Sequence, residues 1–188
     1  MSDLHEGGSG YEALRTRPRA MDELEDTPVG LSGAARRAVI DALQPVLADH
    51  LTLYLLYKKH HWTVAGPLFR ELHLLFDDHA SAVLAASDPI AERIVTLGGT
   101  PVAGPSQLIE YSGVQEAPPS ALSPGEMLEA LIRANEGVIR RLREAISVAD
   151  DHGDPGTSDL LTGPPALRER EKEAWFLSAH LQEVRPAR

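Results

Sequence analysis

The sequence predicts an all-α protein: a bundle of four helices with a long crossover between the second and third helices, and a short extra helix within that crossover. Apolar residues recur at helical spacing in four segments, which capping residues, glycines or prolines bound. The 188-residue chain is long enough for one domain with its own core. We expect this domain over 31–183, a flexible N-terminal tail over 1–30 and a short C-terminal tail over 184–188.

The first two helices are predicted from the segments that precede the "GGT" at 98–100. Ser32 suits the N-cap position of the first helix, which is expected to continue to Trp62. Pro45 lies inside this pattern, and because proline lacks an N–H we expect it to kink the helix or divide it near Leu43. The second helix is expected from about Pro67 to Leu97.

The second half of the chain contains the crossover and the last two helices. A short helix is expected around "SQLIEYS" in the crossover, and the third helix is expected to begin at Ser123 with a capping box completed by Glu126. The segment "DDHGDPGTSD" is predicted to be a loop, and the final helix covers "ALREREKEAWFLSAHLQ". Pro164 and Pro165 cannot lie in a helix interior, so we expect the last helix to restart at Pro165.

The composition excludes several kinds of site. The chain has no cysteine, which rules out disulfides, thiolate ligands and cysteine nucleophiles, whereas its eight histidines and 28 acidic residues suit iron, manganese or zinc. A formal net charge of −10 argues against general nucleic-acid affinity. No apolar run approaches the ~20 residues that cross a bilayer, and the N-terminus has no signal pattern, so we expect a cytoplasmic protein.

The second helix has four potential metal ligands along one side. At ~100° per residue, Asp77, Asp88 and Glu92 lie at ~40°, ~60° and ~100° from His73 on the helical wheel. Any one of these pairs is an ordinary helix-surface pair taken alone. Four acidic or imidazole residues on one stripe of an otherwise apolar helix favour a metal site instead.

Helical rise prevents one chain from closing that site. Eleven residues separate Asp77 from Asp88, which is ~16 Å of rise, whereas metal–ligand bonds are ~2 Å. If two copies of the helix lie antiparallel about a two-fold axis, His73 and Asp77 of one copy meet Asp88 and Glu92 of the other. The sequence therefore predicts two equivalent sites between two protomers.

His61, at the end of the first helix, strengthens this interpretation. With it the set contains two imidazoles and three carboxylates, which suits Fe(II) or a di-iron centre, and zinc is a competitor for the same donors. The Glu-x-x-His pairs of an intrachain di-iron bundle are not found upstream of any histidine.

At these residues the sequence resembles the Dps family, the dodecameric miniferritins of the ferritin-like superfamily. The family pattern is matched in register by "HWTVAGPLF", "RELHLLFD" and "DPIAER", and the similarity extends through "IVTLGGTP", "GTSDLL" and "EKEAWFLSAHL". The resemblance implies a ferritin-like four-helix bundle whose two-fold dimers assemble into a dodecamer. It covers most of the chain after the tail.

The resemblance also implies roles for individual residues. It makes His61, His73 and Asp77 iron ligands from one protomer, with Asp88 and Glu92 supplied by its two-fold mate. Trp62 would lie beside the iron and intercept oxidising equivalents, although an aromatic side chain that fills the dimer core explains its position equally well.

The implied activity is that of a ferroxidase, which oxidises Fe(II) with hydrogen peroxide and stores ferric mineral inside a hollow shell, and so protects DNA from oxidative damage. Iron would enter such a shell through acidic pores at the three-fold axes, near the start of the last helix. Asp154 and Asp159 are the candidates for this pore. A solvated acidic turn that caps the helix is the alternative.

Two other functions remain open. A nucleoid protein whose main role is to compact DNA would need basic surface, for which Arg15, Arg17 and Arg19 are candidates, but the acidic residues of the tail outnumber them. A helical assembly with a structural or zinc-binding metal site is the third hypothesis.

Overall fold

Six helices account for the described part of the computed structural model, which covers residues 23–120 and 122–182. No strand occurs in these two ranges. The helices are α1 (Gly33–Thr63), α2 (Phe69–Thr96), α3 (Pro105–Tyr111), α4 (Pro124–Asp151), α5 (Pro155–Thr162) and α6 (Leu167–His180).

The predicted four-helix bundle is confirmed, with α5 and α6 together in the place of the fourth helix. α1 packs along both α2 and α4, and α4 packs along α6. The short α3 lies in the crossover between α2 and α4, where the sequence predicted it. A single apolar core joins the helices; its fully buried members include Leu43, Leu53, Phe76, Val83, Leu131, Leu142 and Leu177.

Helix α1 begins as predicted but is not divided at Pro45. The Ser32 side chain accepts a hydrogen bond from the Ala35 N–H, which caps the helix, and the helix then continues through Pro45 to Thr63. Pro45 removes the N–H that would pair with the Asp41 carbonyl, but Asp41 lies on the exposed face, where water can take that place. Leu43 and Leu47, which are buried on either side of Pro45, hold the helix in place where this one backbone hydrogen bond is missing.

By length and composition α1 could cross a membrane, which the sequence analysis did not anticipate. Most of its most apolar stretch is buried inside the bundle. The core helix of a bundle has this character because it contacts other helices on several sides.

The helix boundaries in the second half differ from the prediction in two places. The capping box of Ser123 and Glu126 is confirmed. The segment "DDHGDPGTSD" is not a loop as predicted: α4 extends to Asp151, and α5 begins at Pro155 with Asp154 as its N-cap. Beyond α5 the helix is interrupted at Pro164 and Pro165, and it restarts slightly later than expected, at Leu167.

Part of the segment expected to form the N-terminal tail packs against the bundle. Leu24 and Val29 pack against the core, and the Glu25 N–H donates a 2.9 Å hydrogen bond to the Gly98 carbonyl. Arg36, which is buried, donates to the carbonyls of Glu25 and Leu97. Leu24, Glu25 and Val29, which fall in the expected tail, therefore contact the bundle. Residues 1–22 and 183–188 lie outside the described residues.

Candidate metal centre

The end of α1 and the start of α2 bring His61 and His73 face to face. The chain reverses between the two helices at Gly66, whose φ of 102° is a conformation that side-chain-bearing residues rarely adopt. After this turn the two imidazole rings stack with centroids 3.8 Å apart and 21° between their planes. Phe69 packs against the His73 ring, with centroids 5.0 Å apart.

Each histidine is fixed by the backbone of the other. The Nδ1 of His61 donates to the carbonyl of His73 over 2.8 Å, and the Nδ1 of His73 donates to the carbonyl of His61 over 2.9 Å. A carbonyl only accepts hydrogen bonds, so both rings have their proton on Nδ1. This leaves the Nε2 of each ring as the nitrogen that can bind a metal ion, with its orientation set by the other nitrogen.

Asp77 lies one helical turn after His73 and near His61. Its Oδ1 is 4.0 Å from the Nε2 of His61, and it accepts a hydrogen bond of 2.5 Å from the Lys58 ammonium. The hydrogen bond from Lys58 lowers the pKa of Asp77, so the carboxylate is ionised and available to a cation at neutral pH. Lys58 would therefore compete with a metal ion for this carboxylate.

Trp62 lies at the rim of this cluster rather than inside it. Its side chain is 69% exposed in the single protomer, and the Lys58 ammonium lies 5.8 Å from the centre of its ring. Such an exposed indole next to a cation is free to pack against a second chain.

The structure does not bring Asp88 and Glu92 to the histidines. Both are exposed residues of α2, which runs without a break from Phe69 to Thr96 even though Pro89 lies inside it. The ~16 Å of rise between Asp77 and Asp88 is therefore kept in the folded protomer. Among residues 23–120 and 122–182, no group of three or more histidine and acidic side chains is arranged to hold a metal ion.

The two acidic residues proposed for an iron pore differ from each other. Asp154 is 2% exposed, accepts from the Thr157 N–H, and forms a 2.6 Å ion pair with Arg93. Burial acts to raise the pKa of its carboxyl, but the Arg93 and Thr157 hydrogen bonds outweigh it and the pKa is lowered. Asp154 therefore caps a helix and neutralises an arginine, which argues against its facing a channel. Asp159 is exposed on α5, and its pore role stays a prediction.

The DNA-contact candidates Arg15, Arg17 and Arg19 lie outside the described residues. His60 and His79, which neighbour the ligand motif in the sequence, are both buried.

Sequence analysis missed Lys58, the side chain in closest contact with the site. The signal was present, because Lys58 lies three and four residues before His61 and Trp62, and such spacings place side chains on one helix face. Lysine is not a usual metal ligand, so Lys58 was not among the predicted site residues.

The chain is similar to known proteins over most of its length. The ferritin-like domain family matches residues 40–187. A DNA protection during starvation protein from Deinococcus radiodurans is 33% identical over 79% of this chain and 71% of its own length. Among solved structures, DpsC from Streptomyces coelicolor has a TM-score of 0.85 at 36% identity and covers 90% of this chain and 100% of its own.

A second similar structure is described in terms of a metal site. The Dps protein from Vibrio cholerae, described as a member of a broad superfamily of ferritin-like diiron-carboxylate proteins, has a TM-score of 0.78 at 27% identity. The match covers 86% of this chain and 99% of that one.

Proposed function

This chain belongs to the Dps family of ferritin-like proteins, and we propose that it is a ferroxidase that oxidises Fe(II) with hydrogen peroxide and stores the ferric product in a shell of identical subunits. The observation that carries the proposal is the reciprocal His61–His73 hydrogen bonding beside the ionised Asp77. Two imidazole Nε2 atoms and a carboxylate form half of a nitrogen- and oxygen-rich iron site.

The other half of the site comes from a second protomer. Asp88 and Glu92 are exposed on α2, far along the helix from His73, so they are free to meet a partner. An antiparallel pairing of two α2 helices about a two-fold axis gives each of two sites the donors His61, His73 and Asp77 from one chain and Asp88 and Glu92 from the other. This arrangement makes iron oxidation a property of the dimer.

The donor set suits the reaction. Carboxylates stabilise Fe(III) over Fe(II), and the hydrogen-bonded imidazoles have their coordinating nitrogens oriented before iron arrives. Zinc binds the same donors and would compete with iron without undergoing oxidation. Consumption of Fe(II) and peroxide together removes the reagents that form hydroxyl radicals, and this protects DNA without any need to bind it.

Assembly into the twelve-subunit shell of the family is part of the proposal. Several large apolar side chains are exposed in the single protomer and would be covered by neighbours: Leu55, Trp62, Leu84, Val95, Ile109 and Trp175. Soluble proteins rarely leave so much apolar surface in contact with water unless it binds a partner.

Subunit mixing tests where the site lies. His61→Ala and Asp88→Asn are each expected to abolish peroxide-dependent iron oxidation. When the two variants are expressed together, a mixed dimer combines both defects in one site and leaves the second site intact. Random pairing then restores about a quarter of the sites.

The outcome separates the proposal from its competitors. Recovery of oxidation on mixing supports a shared site, whereas no recovery in mixed shells of normal size would contradict it. Asp78→Asn is the matched control, because Asp78 neighbours Asp77 but is exposed on another face of α2, and it should oxidise iron like the wild type. A chain that binds zinc but never oxidises iron would instead have a structural metal site.

A further inference from the structure

A buried polar cluster lies in the interior of the bundle, apart from the candidate iron ligands. It consists of Tyr57 on α1, Asn135 on α4, and Arg170 and Glu173 on α6, none of which is more than 1% exposed. Such groups are expensive to bury, and an apolar set of similar volume would stabilise a core at least as well. Because their burial is costly, their presence in the core indicates a functional role.

The Tyr57 hydroxyl is the centre of this cluster. It accepts a 2.7 Å hydrogen bond from the Asn135 amide and donates to the Glu173 Oε2 over 3.4 Å. Glu173 is also held by Arg170, whose Nη2 donates to its Oε1 over 2.8 Å. The phenol O–H therefore points at a carboxylate, and its oxygen has a second hydrogen bond that remains when the proton leaves.

Tyr57 is close to the candidate iron site along the chain and in space. It precedes His61 by one helical turn, ~6 Å of rise on the same helix. Its ring contacts Phe76, the residue before Asp77, with centroids 6.5 Å apart. Tyr57 is fully buried and so shielded from solvent, whereas Trp62 is exposed.

We infer that Tyr57 is a buried one-electron donor to the peroxide reaction when a site contains a single Fe(II); this rests on the proposed ferroxidase activity. Peroxide takes two electrons, and one Fe(II) supplies only one of them. Tyr57 supplies the second and passes its proton to Glu173: Fe(II) + H2O2 + Tyr57–OH + Glu173–CO2⁻ → Fe(III) + 2 OH⁻ + Tyr57–O• + Glu173–CO2H. The O–O bond breaks, and no hydroxyl radical is released.

The surroundings make the oxidation reversible. Burial raises the pKa of Glu173 to about 8, so above that pH its side chain rests as a carboxylate and accepts a proton more readily than an exposed one does. Once Glu173 is protonated, however, the buried Arg170 lacks its counter-charge, which is unfavourable. Return of the proton and an electron, from a later Fe(II), restores the ion pair. The cluster thus stores one oxidising equivalent and then recovers.

Freeze-quench electron paramagnetic resonance of the full-length assembled protein tests the inference. Peroxide is added above pH 8, where Glu173 is a carboxylate, to protein that holds fewer Fe(II) ions than sites, so that most occupied sites contain one ion. We expect a tyrosyl radical in the wild type, its loss in Tyr57→Phe, and its retention in the matched control Tyr54→Phe, which removes a hydroxyl one turn earlier on α1. The wild-type signal should fall as Fe(II) per site increases, because the second ion replaces Tyr57 as donor.

A spin trap for hydroxyl radicals gives the second measurement. Tyr57→Phe should release more hydroxyl radical than the wild type at low iron and the same amount at full iron. Iron oxidation without a tyrosyl signal, or an equal signal in Tyr57→Phe, would overturn the role of Tyr57 and leave the ferroxidase proposal standing. Absence of any iron oxidation would overturn both.

Discussion

His61 and His73 lock each other in place: each ring donates its Nδ1 proton to the backbone carbonyl of the other, over 2.8 and 2.9 Å. The pair joins the end of α1 to the start of α2 and fixes the orientation of both Nε2 atoms. The same two hydrogen bonds therefore stabilise the turn between α1 and α2 and orient the candidate metal ligands.

His73→Ala tests this double role. The change removes one hydrogen bond, the stacked ring and a proposed ligand, so we expect a loss of about 1–2 kcal/mol in the free energy of unfolding and a loss of iron oxidation. Urea unfolding and peroxide-dependent iron oxidation measure the two effects. Wild-type oxidation in a folded His73→Ala shell would show that the imidazole is not a ligand.

Lys58→Met should strengthen metal binding. The Lys58 ammonium pairs with Asp77, and a partly exposed ion pair of this kind is worth about 0.2–1 kcal/mol, so we expect the Kd for a divalent ion to fall by about 1.4- to 5-fold. Titration calorimetry with Zn(II), which is not oxidised, measures it.

Lys59→Met is the matched control for that experiment. Lys59 is the next residue, and its ammonium binds the carbonyls of Ala117 and Pro118 instead of Asp77. Unchanged affinity in Lys58→Met, or an equal gain in Lys59→Met, would mean that the Lys58–Asp77 contact does not compete with the metal ion.

Asp154→Asn and Asp159→Asn should have different effects. Asp154 is buried, caps α5 and pairs with Arg93, so its loss leaves a partly buried arginine unpaired and should destabilise the protein by about 2–4 kcal/mol. Asp159 is exposed, so Asp159→Asn should leave stability unchanged and slow iron uptake if this residue lines a pore. Thermal unfolding and uptake rates distinguish the two; normal uptake in Asp159→Asn would remove it from the pore.

Acid should destabilise the bundle through His50. This residue is fully buried, its Nδ1 donates to the Val46 carbonyl over 2.8 Å, and burial lowers its pKa to about 4. Because the unfolded chain takes up this proton near the ordinary pKa of 6.5 and the folded one does not, stability is complete above 6.5 and falls as the pH drops toward 4. The contribution reaches about 3 kcal/mol.

Unfolding by urea as a function of pH measures this loss. His50→Asn keeps a polar group near the Val46 carbonyl but does not titrate, so its stability should depend less on pH over the same interval. An equal pH dependence in His50→Asn would assign the acid sensitivity to other groups.

DNA binding is expected to be weak. The chain has a net charge of −10, and contacts with phosphate require basic surface. A gel shift at low and physiological salt, with the full chain and with a variant that lacks residues 1–22, measures any contribution from Arg15, Arg17 and Arg19. Tight binding that persists at physiological salt and disappears with the tail would make DNA compaction a function in its own right.

The sequence by itself determined the helices and the ligand types. Helical spacing, the Ser32 cap and the Ser123–Glu126 capping box are local properties, so they could be predicted from a few neighbouring residues. The separation of His73 and Asp77 from Asp88 and Glu92 is also local, because the rise of one unbroken helix fixes it.

Tertiary structure decided what depends on packing. Pro45 remains inside α1 because buried residues on both sides hold the helix together, and a local rule about proline does not include that contribution. Asp154 became a buried cap because Arg93 of a different helix lies against it, and Lys58 reached Asp77 because α1 and α2 pack side by side. The hydrogen bonds of Tyr57 join helices separated by up to 116 residues in the chain, and no local pattern signals a contact that only folding creates.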